Sequence, residues 1–165
     1  MARRAYLSLG ANLGDRLRAL RQAVARLRAA RGVNSLRVSR VYETEPVGVV
    51  EQPRFLNLAV ELELADEVGP RDLLRLAKDI ERELGRTPRE QWGPREIDVD
   101  VLLVGEERRA ESDLELPHPR MWERAFVMAP LAELAPDLAG PAGERAADIA
   151  ARLQRQQRIH AAFPL

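Results

Sequence analysis

The sequence of 165 residues contains no cysteine. This absence excludes disulfide bonds, thiolate nucleophiles and cysteine-based zinc or iron–sulfur sites. No stretch approaches the roughly 18 consecutive apolar residues that a transmembrane helix requires. The N-terminus has neither the apolar region nor the cleavage pattern of a signal peptide. We therefore expect a cytoplasmic protein that is held together by packing alone.

The chain also has no excess of charge of either sign, since 26 basic residues balance 26 acidic ones. A globally basic field that would attract nucleic acid is therefore absent. Hydrophobic residues make up 45% of the sequence and charged residues 32%, which is typical of a globular protein. The length fits a single domain over residues 1–165. We expect a monomer that binds neither nucleic acid nor a membrane and carries no fused second enzyme.

The spacing of apolar residues predicts the element order β-α-β-β-α-β, followed by a C-terminal extension. Strands are expected over residues 5–9, 33–42, 56–64 and 97–104, with helices that begin after Asp15 and at Pro70 and end at Gly32 and Gly85. The extension should contain helices near residues 125–134 and 145–155. Segments 43–53 and 86–95 are expected to be long loops, and Gly10–Gly14 a tight turn. This order is typical of a ferredoxin-like α+β sandwich, with two helices on one face of an antiparallel sheet.

Two aspartates, Asp98 and Asp100, interrupt the last apolar strand. Alternation places both carboxylates on one face, roughly 6.5 Å apart along the chain. Buried carboxylates this close repel each other unless one is protonated or a cation lies between them. A pair of divalent cations meets this need, and ligands that are all oxygen favour Mg²⁺ over zinc. The alternative is that each aspartate pairs with an arginine at the edge of the sheet.

The loop before these aspartates carries Arg86, Arg89 and Arg95. Arginines beside a pair of metal-binding carboxylates are typical of a polyphosphate site, because the guanidinium groups neutralise phosphate charge that the cations leave. Trp92 lies in the same loop, and an exposed indole there needs something to cover. The alternative is a solvated run of charges.

Phe55 and Asn57 share one face of their strand. An aromatic ring beside a carboxamide suits a flat heterocycle, which is stacked on its face and hydrogen-bonded at its edge. The alternative is that Phe55 belongs to the core.

His118 lies between two prolines, which fix the direction of its ring. Because no cysteine or second histidine is nearby, we expect His118 to donate a hydrogen bond to phosphate and not to bind zinc.

Several segments occur together in the order and spacing of one enzyme family. They are Leu7–Gly14 (LSLGANLG), Tyr42–Pro46 (YETEP), Phe55–Asn57 (FLN), Trp92–Leu102 (WGPREIDVDVL) and Pro117–Met121 (PHPRM), with Arg124 and Phe126. Together they resemble the 6-hydroxymethyl-7,8-dihydropterin pyrophosphokinases of folate biosynthesis. The resemblance implies an enzyme that transfers pyrophosphate, as one unit, from ATP to the hydroxymethyl group of 6-hydroxymethyl-7,8-dihydropterin and releases AMP.

The resemblance also implies roles for individual residues. Asp98 and Asp100 would hold two Mg²⁺ ions that bridge the phosphates of ATP, and Asp98 would accept the hydroxyl proton. Catalysis would further involve a mobile loop that closes over the substrates and contains Arg86, Trp92 and Arg95. The implied ATP-binding residues are Lys78, Glu81, Arg89, Val101, His118 and Arg124. The implied pterin-binding residues are Thr44, Val47, Phe55, Asn57, Trp92 and Phe126.

Two other functions fit parts of the sequence. Palm-like nucleotidyltransferases and cyclases also place paired aspartates on ferredoxin-like strands. In their reactions, however, the nucleotide is attacked at its α-phosphorus. That function would leave Phe55, Asn57 and Phe126 without a role. A ligand-binding module without enzymatic activity is the other possibility, and it leaves the cost of burying the two carboxylates unexplained.

Overall fold

The computed structural model describes residues 3–45, 53–85 and 97–165. Within these ranges the strands are β1 (Arg3–Ala11), β2 (Val33–Val38), β3 (Val41–Thr44), β4 (Phe55–Leu64), β5 (Asp98–Val104), β6 (Arg109–Glu111), β7 (Leu114–Leu116) and β8 (Ile159–Phe163). The helices are α1 (Arg16–Ala29), α2 (Pro70–Gly85), α3 (Ala125–Leu134) and α4 (Ala146–Gln154), and a 3-10 turn covers Met121–Glu123. None of the helices in the described ranges has the length and apolar character needed to cross a membrane.

The central sheet has the strand order β5-β1-β4-β3-β8, and β2 pairs with β4 beside β3. Every one of these pairings is antiparallel. The short strands β6 and β7 form a separate hairpin. The α+β class and the antiparallel sheet predicted from the sequence are therefore confirmed.

The first two helices cover one face of the sheet. Alternate apolar residues of β1, β4 and β5 point to this face and pack against the apolar sides of α1 and α2. Leu9, Leu58, Leu20 and Leu73 are completely buried in this layer. Burying a leucine side chain contributes about 1.5–3 kcal/mol, and a slip of one residue in a strand would expose its whole apolar set. This layer therefore fixes which residues of each strand face the other way.

The opposite face is covered by α3 and α4, whereas the sequence predicted helices on one face only. Tyr6, Ala59 and Leu103 of the sheet pack here against Met128 of α3 and Ile149 of α4. The helices themselves lie close to the predicted positions, 125–134 and 145–155. Their assignment to a second layer was missed because α3 is apolar on most of its sides and so shows no single stripe that indicates its partner.

A polar cluster lies within this second layer. The hydroxyl of Tyr6 donates to Glu61 Oε2 at 2.8 Å, and Arg37 donates to both carboxylate oxygens of Glu61, at 2.9 and 2.8 Å. Burial and the neighbouring carboxylate raise the pKa of Tyr6 to about 12. Burial alone would raise the pKa of Glu61, but the hydrogen bonds from Arg37 and Tyr6 outweigh it and lower that pKa. Arg37 also donates to the Leu134 carbonyl oxygen at 3.1 Å, so the cluster anchors the C-terminal end of α3.

The strand predicted over residues 33–42 is interrupted, which corrects the sequence analysis. Both pieces, β2 and β3, pair with β4, and Ser39 lies at the break. The backbone N–H of Ser39 donates to the Ala59 carbonyl oxygen at 3.0 Å, while its hydroxyl accepts the N–H of Ala59 at 2.9 Å. The break therefore leaves no unsatisfied group at Ala59. β3 continues to Thr44, so Glu43 and Thr44 belong to the sheet and not to the predicted loop.

Two further differences concern the ends of the sheet. β1 continues to Ala11, so Gly10 is a paired strand residue and not part of the predicted turn. The C-terminal strand β8, which the sequence did not predict, pairs with β3. It brings the end of the chain beside residues 41–44.

Candidate active site

A pocket opens on the second face of the sheet, beside the N-terminal end of α3. Four strands and the start of α3 supply its described lining, which is formed by Ser8, Gly10, Thr44, Glu45, Phe55, Asn57, Asp98, Asp100, Arg124 and Phe126. The register explains this grouping, since Gly10 is paired with Asn57 on one side and with Asp98 on the other. Directly paired residues of antiparallel strands point to the same face of a sheet. Carboxylates and aromatic rings thereby share one pocket.

Asp98 and Asp100 both line this pocket, as the alternation along β5 predicts. The side chain of Asp100 is accessible from the pocket but has protein around it, and this desolvation raises its pKa. The protonated form of His118 and the positive charges of Lys78 and Arg124 act in the opposite direction, while Glu81 adds to the increase. Within the described part of the chain, no ion pair involves Asp100. Pairing with an arginine, the alternative raised by the sequence, is therefore not seen for Asp100 there.

Helix α2 brings Lys78 and Glu81 to the edge of β5. Glu81 Oε2 accepts the backbone N–H of Val99, between the two aspartates, at 3.0 Å. Lys78 Nζ lies 3.2 Å from Glu81 Oε1. Neither side chain lines the pocket itself, but both act electrostatically on Asp100.

The side chain of Val101, by contrast, is not brought to the pocket. It is 6% exposed and packs in the core under α1 and α2, because alternation turns it away from Asp100. Any contact of Val101 with a nucleotide would have to use its backbone.

His118 is fixed next to the end of β5. Its backbone N–H donates to the Leu102 carbonyl oxygen at 2.9 Å, and its Nδ1 accepts the N–H of Arg120 at 3.3 Å. This hydrogen bond assigns the proton of the neutral ring to Nε2. Burial lowers the pKa of His118, although the charge of Asp100 opposes the change. His118 is therefore a neutral donor near Asp100 at pH 7.

Phe55 and Phe126 form the aromatic side of the pocket, and Asn57 lies two residues after Phe55 on β4. Asn57 is 3% exposed, and its Nδ2 donates to Thr44 Oγ1 at 2.6 Å. The guanidinium carbon of Arg124 lies 5.5 Å from the centre of the Phe126 ring. This distance is within the range of a cation–π contact. The carboxamide of Asn57 and the ring of Phe126 are thus both held by neighbouring side chains.

Five predicted site residues lie outside the described part of the chain: Val47, Arg86, Arg89, Trp92 and Arg95. Conversely, Ser8, Gly10 and Glu45 line the pocket but were not chosen as site residues from the sequence. The signal for two of them was present. Ser8 and Gly10 are small residues at alternate positions of an apolar strand, and a glycine inside a strand often marks a close approach of another group.

Comparisons with known proteins point to one enzyme family. The family model of 7,8-dihydro-6-hydroxymethylpterin-pyrophosphokinase (HPPK) matches residues 6–136. A 2-amino-4-hydroxy-6-hydroxymethyldihydropteridine pyrophosphokinase of Bacillus subtilis is 51% identical over 130 residues, which cover 79% of this chain and 77% of that protein. The protein of the same name from Methylorubrum extorquens is 45% identical over 135 residues, covering 82% and 84%. The chain therefore belongs to the HPPK family, and the resemblance found in its sequence motifs is confirmed.

Solved structures agree on the fold. A crystal structure of Plasmodium falciparum HPPK-DHPS matches with a TM-score of 0.70 at 14% identity. The match covers 94% of this chain and 47% of that one, so the chain spans about half the length of this structural relative. At this identity the match speaks for the fold alone.

Proposed function

We propose that this chain transfers pyrophosphate from ATP to the hydroxymethyl group of 6-hydroxymethyl-7,8-dihydropterin, in folate biosynthesis, giving the pterin diphosphate and AMP. Membership of the HPPK family supports this function. The structural observation that carries it is the combination in one pocket of two carboxylates, an arginine, two phenylalanines and a carboxamide. Since one chain supplies this described lining, we also propose that the monomer is the active unit.

The pterin is assigned to the aromatic side of the pocket. Phe55 and Phe126 would lie against the two faces of the ring, and Asn57 would hydrogen-bond its edge. Thr44 supports this assignment because its hydroxyl accepts from Asn57 at 2.6 Å and so holds the carboxamide in one orientation. Val47 and Trp92 belong to the same proposal, but they lie outside the described residues.

The phosphates of ATP are assigned to the opposite side of the pocket, where Asp98 and Asp100 would hold two Mg²⁺ ions. The residues present fit this metal, because both donors are carboxylate oxygens. Among the described residues, no group of three or more histidine, aspartate or glutamate side chains forms a complete metal cage. Magnesium is usually bound by one or two carboxylates, with phosphate oxygens and water as the other ligands. When bound, it would offset the charge of the phosphates.

Further residues would bind the nucleotide directly. Arg124 and the Nε2–H of His118 would donate to phosphate oxygens. Lys78 and Glu81 would lie near the nucleotide at the edge of β5, and Val101 would contribute its backbone. Arg89 is assigned to the phosphates by the sequence motif alone.

In the reaction, the pterin hydroxyl oxygen would form a bond to the β-phosphorus while the bond between that phosphorus and the α–β bridging oxygen breaks. AMP leaves with the electron pair of the broken bond, and the hydroxyl proton would pass to Asp98. No covalent intermediate with the protein is needed, because phosphoryl transfer requires mainly positioning and neutralisation of charge. Arg86, Trp92 and Arg95 would close over both substrates and exclude water.

The identity of the nucleotide product tests this function against the alternatives. The chain is incubated with Mg²⁺, ATP and 6-hydroxymethyl-7,8-dihydropterin, and AMP and free pyrophosphate are quantified. AMP should accumulate in equal amount to the pterin diphosphate, with no free pyrophosphate. The 6-methyl analogue, which has no hydroxyl group, is the matched control and should bind without reacting. Release of free pyrophosphate would indicate a nucleotidyltransferase or cyclase, and binding of both substrates without turnover would indicate a binding module.

A further inference from the structure

The two neighbours of the pocket residue Arg124 are held by a residue outside the family match, which ends at residue 136. Gln157 follows α4 and lies beside the segment that joins the 3-10 turn to α3. Its Nε2 donates to the carbonyl oxygen of Glu123 at 2.8 Å, and its Oε1 accepts the N–H of Ala125 at 2.8 Å. These two backbone groups belong to the residues on either side of Arg124. A single carboxamide therefore brackets Arg124.

The bracket replaces a missing helix cap. Ala125 is the first residue of α3, and the first N–H groups of a helix have no partner within that helix. Arg124 occupies the N-cap position, but its side chain makes no capping hydrogen bond. Gln157 therefore supplies the acceptor that a serine or aspartate usually provides at this position.

Gln157 is itself firmly held. Its backbone N–H donates to the Leu153 carbonyl oxygen at the end of α4, at 2.8 Å. Leu153 is 6% exposed and packs in the same core as Met128 of α3. Two residues further on, Ile159 is paired with Thr44, another residue of the pocket. The C-terminal segment thus connects the start of α3 with Thr44 of β3, on the same side of the pocket.

We infer that Gln157 is a positioning residue for the pterin side of the pocket. By bridging Glu123 and Ala125 it fixes the start of α3, from which Arg124 and the ring of Phe126 project into the pocket. The inference rests on the proposed function, because it takes the pterin as the ligand of Phe126. Gln157 does not line the proposed ring site; it acts by holding Glu123 and Ala125, and so positions Arg124 and Phe126.

The test is calorimetry of the full chain with 6-hydroxymethyl-7,8-dihydropterin, in the presence of Mg²⁺ and a non-hydrolysable ATP analogue. Gln157→Ala should weaken pterin binding about three- to tenfold, the range of one ordinary hydrogen bond. Gln157→Glu preserves the shape and the acceptor for Ala125 but places an oxygen, in place of the donor, against the Glu123 carbonyl oxygen, so it should also weaken pterin binding. Gln154→Ala, at the exposed end of α4, is the matched control and should bind like the wild type.

A double-mutant cycle with Phe126→Ala separates positioning from a general effect on the fold. If Gln157 acts through Phe126, Gln157→Ala should cause little further loss of pterin affinity in the Phe126→Ala background. An equal loss in both backgrounds would overturn the inference, as would unchanged affinity in Gln157→Ala. Should Gln157→Ala fail to fold, Gln157→Glu carries the same cycle. A wild-type chain that does not bind the pterin would instead contradict the proposed function.

Discussion

Replacing Gly10 with alanine should damage the pterin side of the pocket without unfolding the protein. A Cβ atom at Gly10 would lie 2.7 Å from Asn57 Oδ1, and 3.7 Å from a ring carbon of Phe55. Side-chain atoms cannot remain at the first of these distances, so Asn57 must move. The movement of Asn57 is restricted, because its Nδ2 donates a hydrogen bond to Thr44 at 2.6 Å and the residue is 3% exposed.

The size of the effect follows from this geometry. Overpacking a buried site costs about 1–3 kcal/mol, and alanine recovers about 0.5–1 kcal/mol of that through its lower backbone entropy in a strand. The net loss of about 0–2.5 kcal/mol lowers the Tm of a domain of this size by at most about 10 °C. A displaced Asn57 carboxamide would leave a polar edge of the pterin without its partner. That loss of about 1–3 kcal/mol weakens binding by roughly five- to 150-fold.

The assay is calorimetry well below the melting temperature, with the pterin and, separately, with a non-hydrolysable ATP analogue. The affinity for the analogue should stay within about threefold of the wild type, because the groups nearest to the new methyl are Asn57 and Phe55. Gly69→Ala is the matched control, since its Cβ would meet only Asp72 Oδ2 at 3.6 Å, an ordinary contact. Pterin affinity in Gly10→Ala within twofold of the wild type would refute the assignment of Asn57.

Three further results are expected. Asp100→Asn should lower turnover 100-fold or more, on the order of the loss of one key electrostatic group. Without metal, this variant should melt at a higher temperature than the wild type, because burial disfavours the charged carboxylate. Turnover near the wild-type level would contradict the metal role. Chelation with EDTA should abolish turnover, and added Mg²⁺ should restore it; full activity in EDTA would exclude the metal. Glu61→Gln should lower stability at pH 7, since hydrogen bonds lower the folded-state pKa of Glu61. That stabilisation is present above the ordinary pKa of about 4.3 and is lost as the pH falls through the lowered value. The melting temperatures of the wild type and Glu61→Gln should therefore converge in acid. A difference in melting temperature that does not change with pH would contradict this.

The sequence was sufficient for features that depend on the period of a strand. Because successive side chains of a strand alternate, Asp98 and Asp100 had to share a face, and so did Phe55 and Asn57. The structure brings both pairs into the same pocket. Their common location could not be read from either strand alone, because it depends on the register that pairs each of β4 and β5 with β1.

Other features depend on contacts between distant residues and leave little local signal. The break at Ser39 is stable because Ser39 bonds to Ala59, twenty residues away. Gln157 caps a helix that begins 32 residues earlier. The segment that contains Gln157 shows only a run of polar residues. The role of Gly10 had a sequence signal, but a glycine between a strand and a helix also fits a turn, and only pairing distinguishes the two.

The position of the pocket follows from a gradient of side-chain size along the second face of the sheet. On β1, this face carries Tyr6, then Ser8, then Gly10. Tyr6 packs in the core with α3 and α4, whereas Ser8 and Gly10 line the pocket. Along β1, the helices pack where the large Tyr6 side chain extends the core, and the face is left open where the side chains become small at Ser8 and Gly10. The change from large to small residues along β1 therefore coincides with the boundary between the helix-covered core and the pocket.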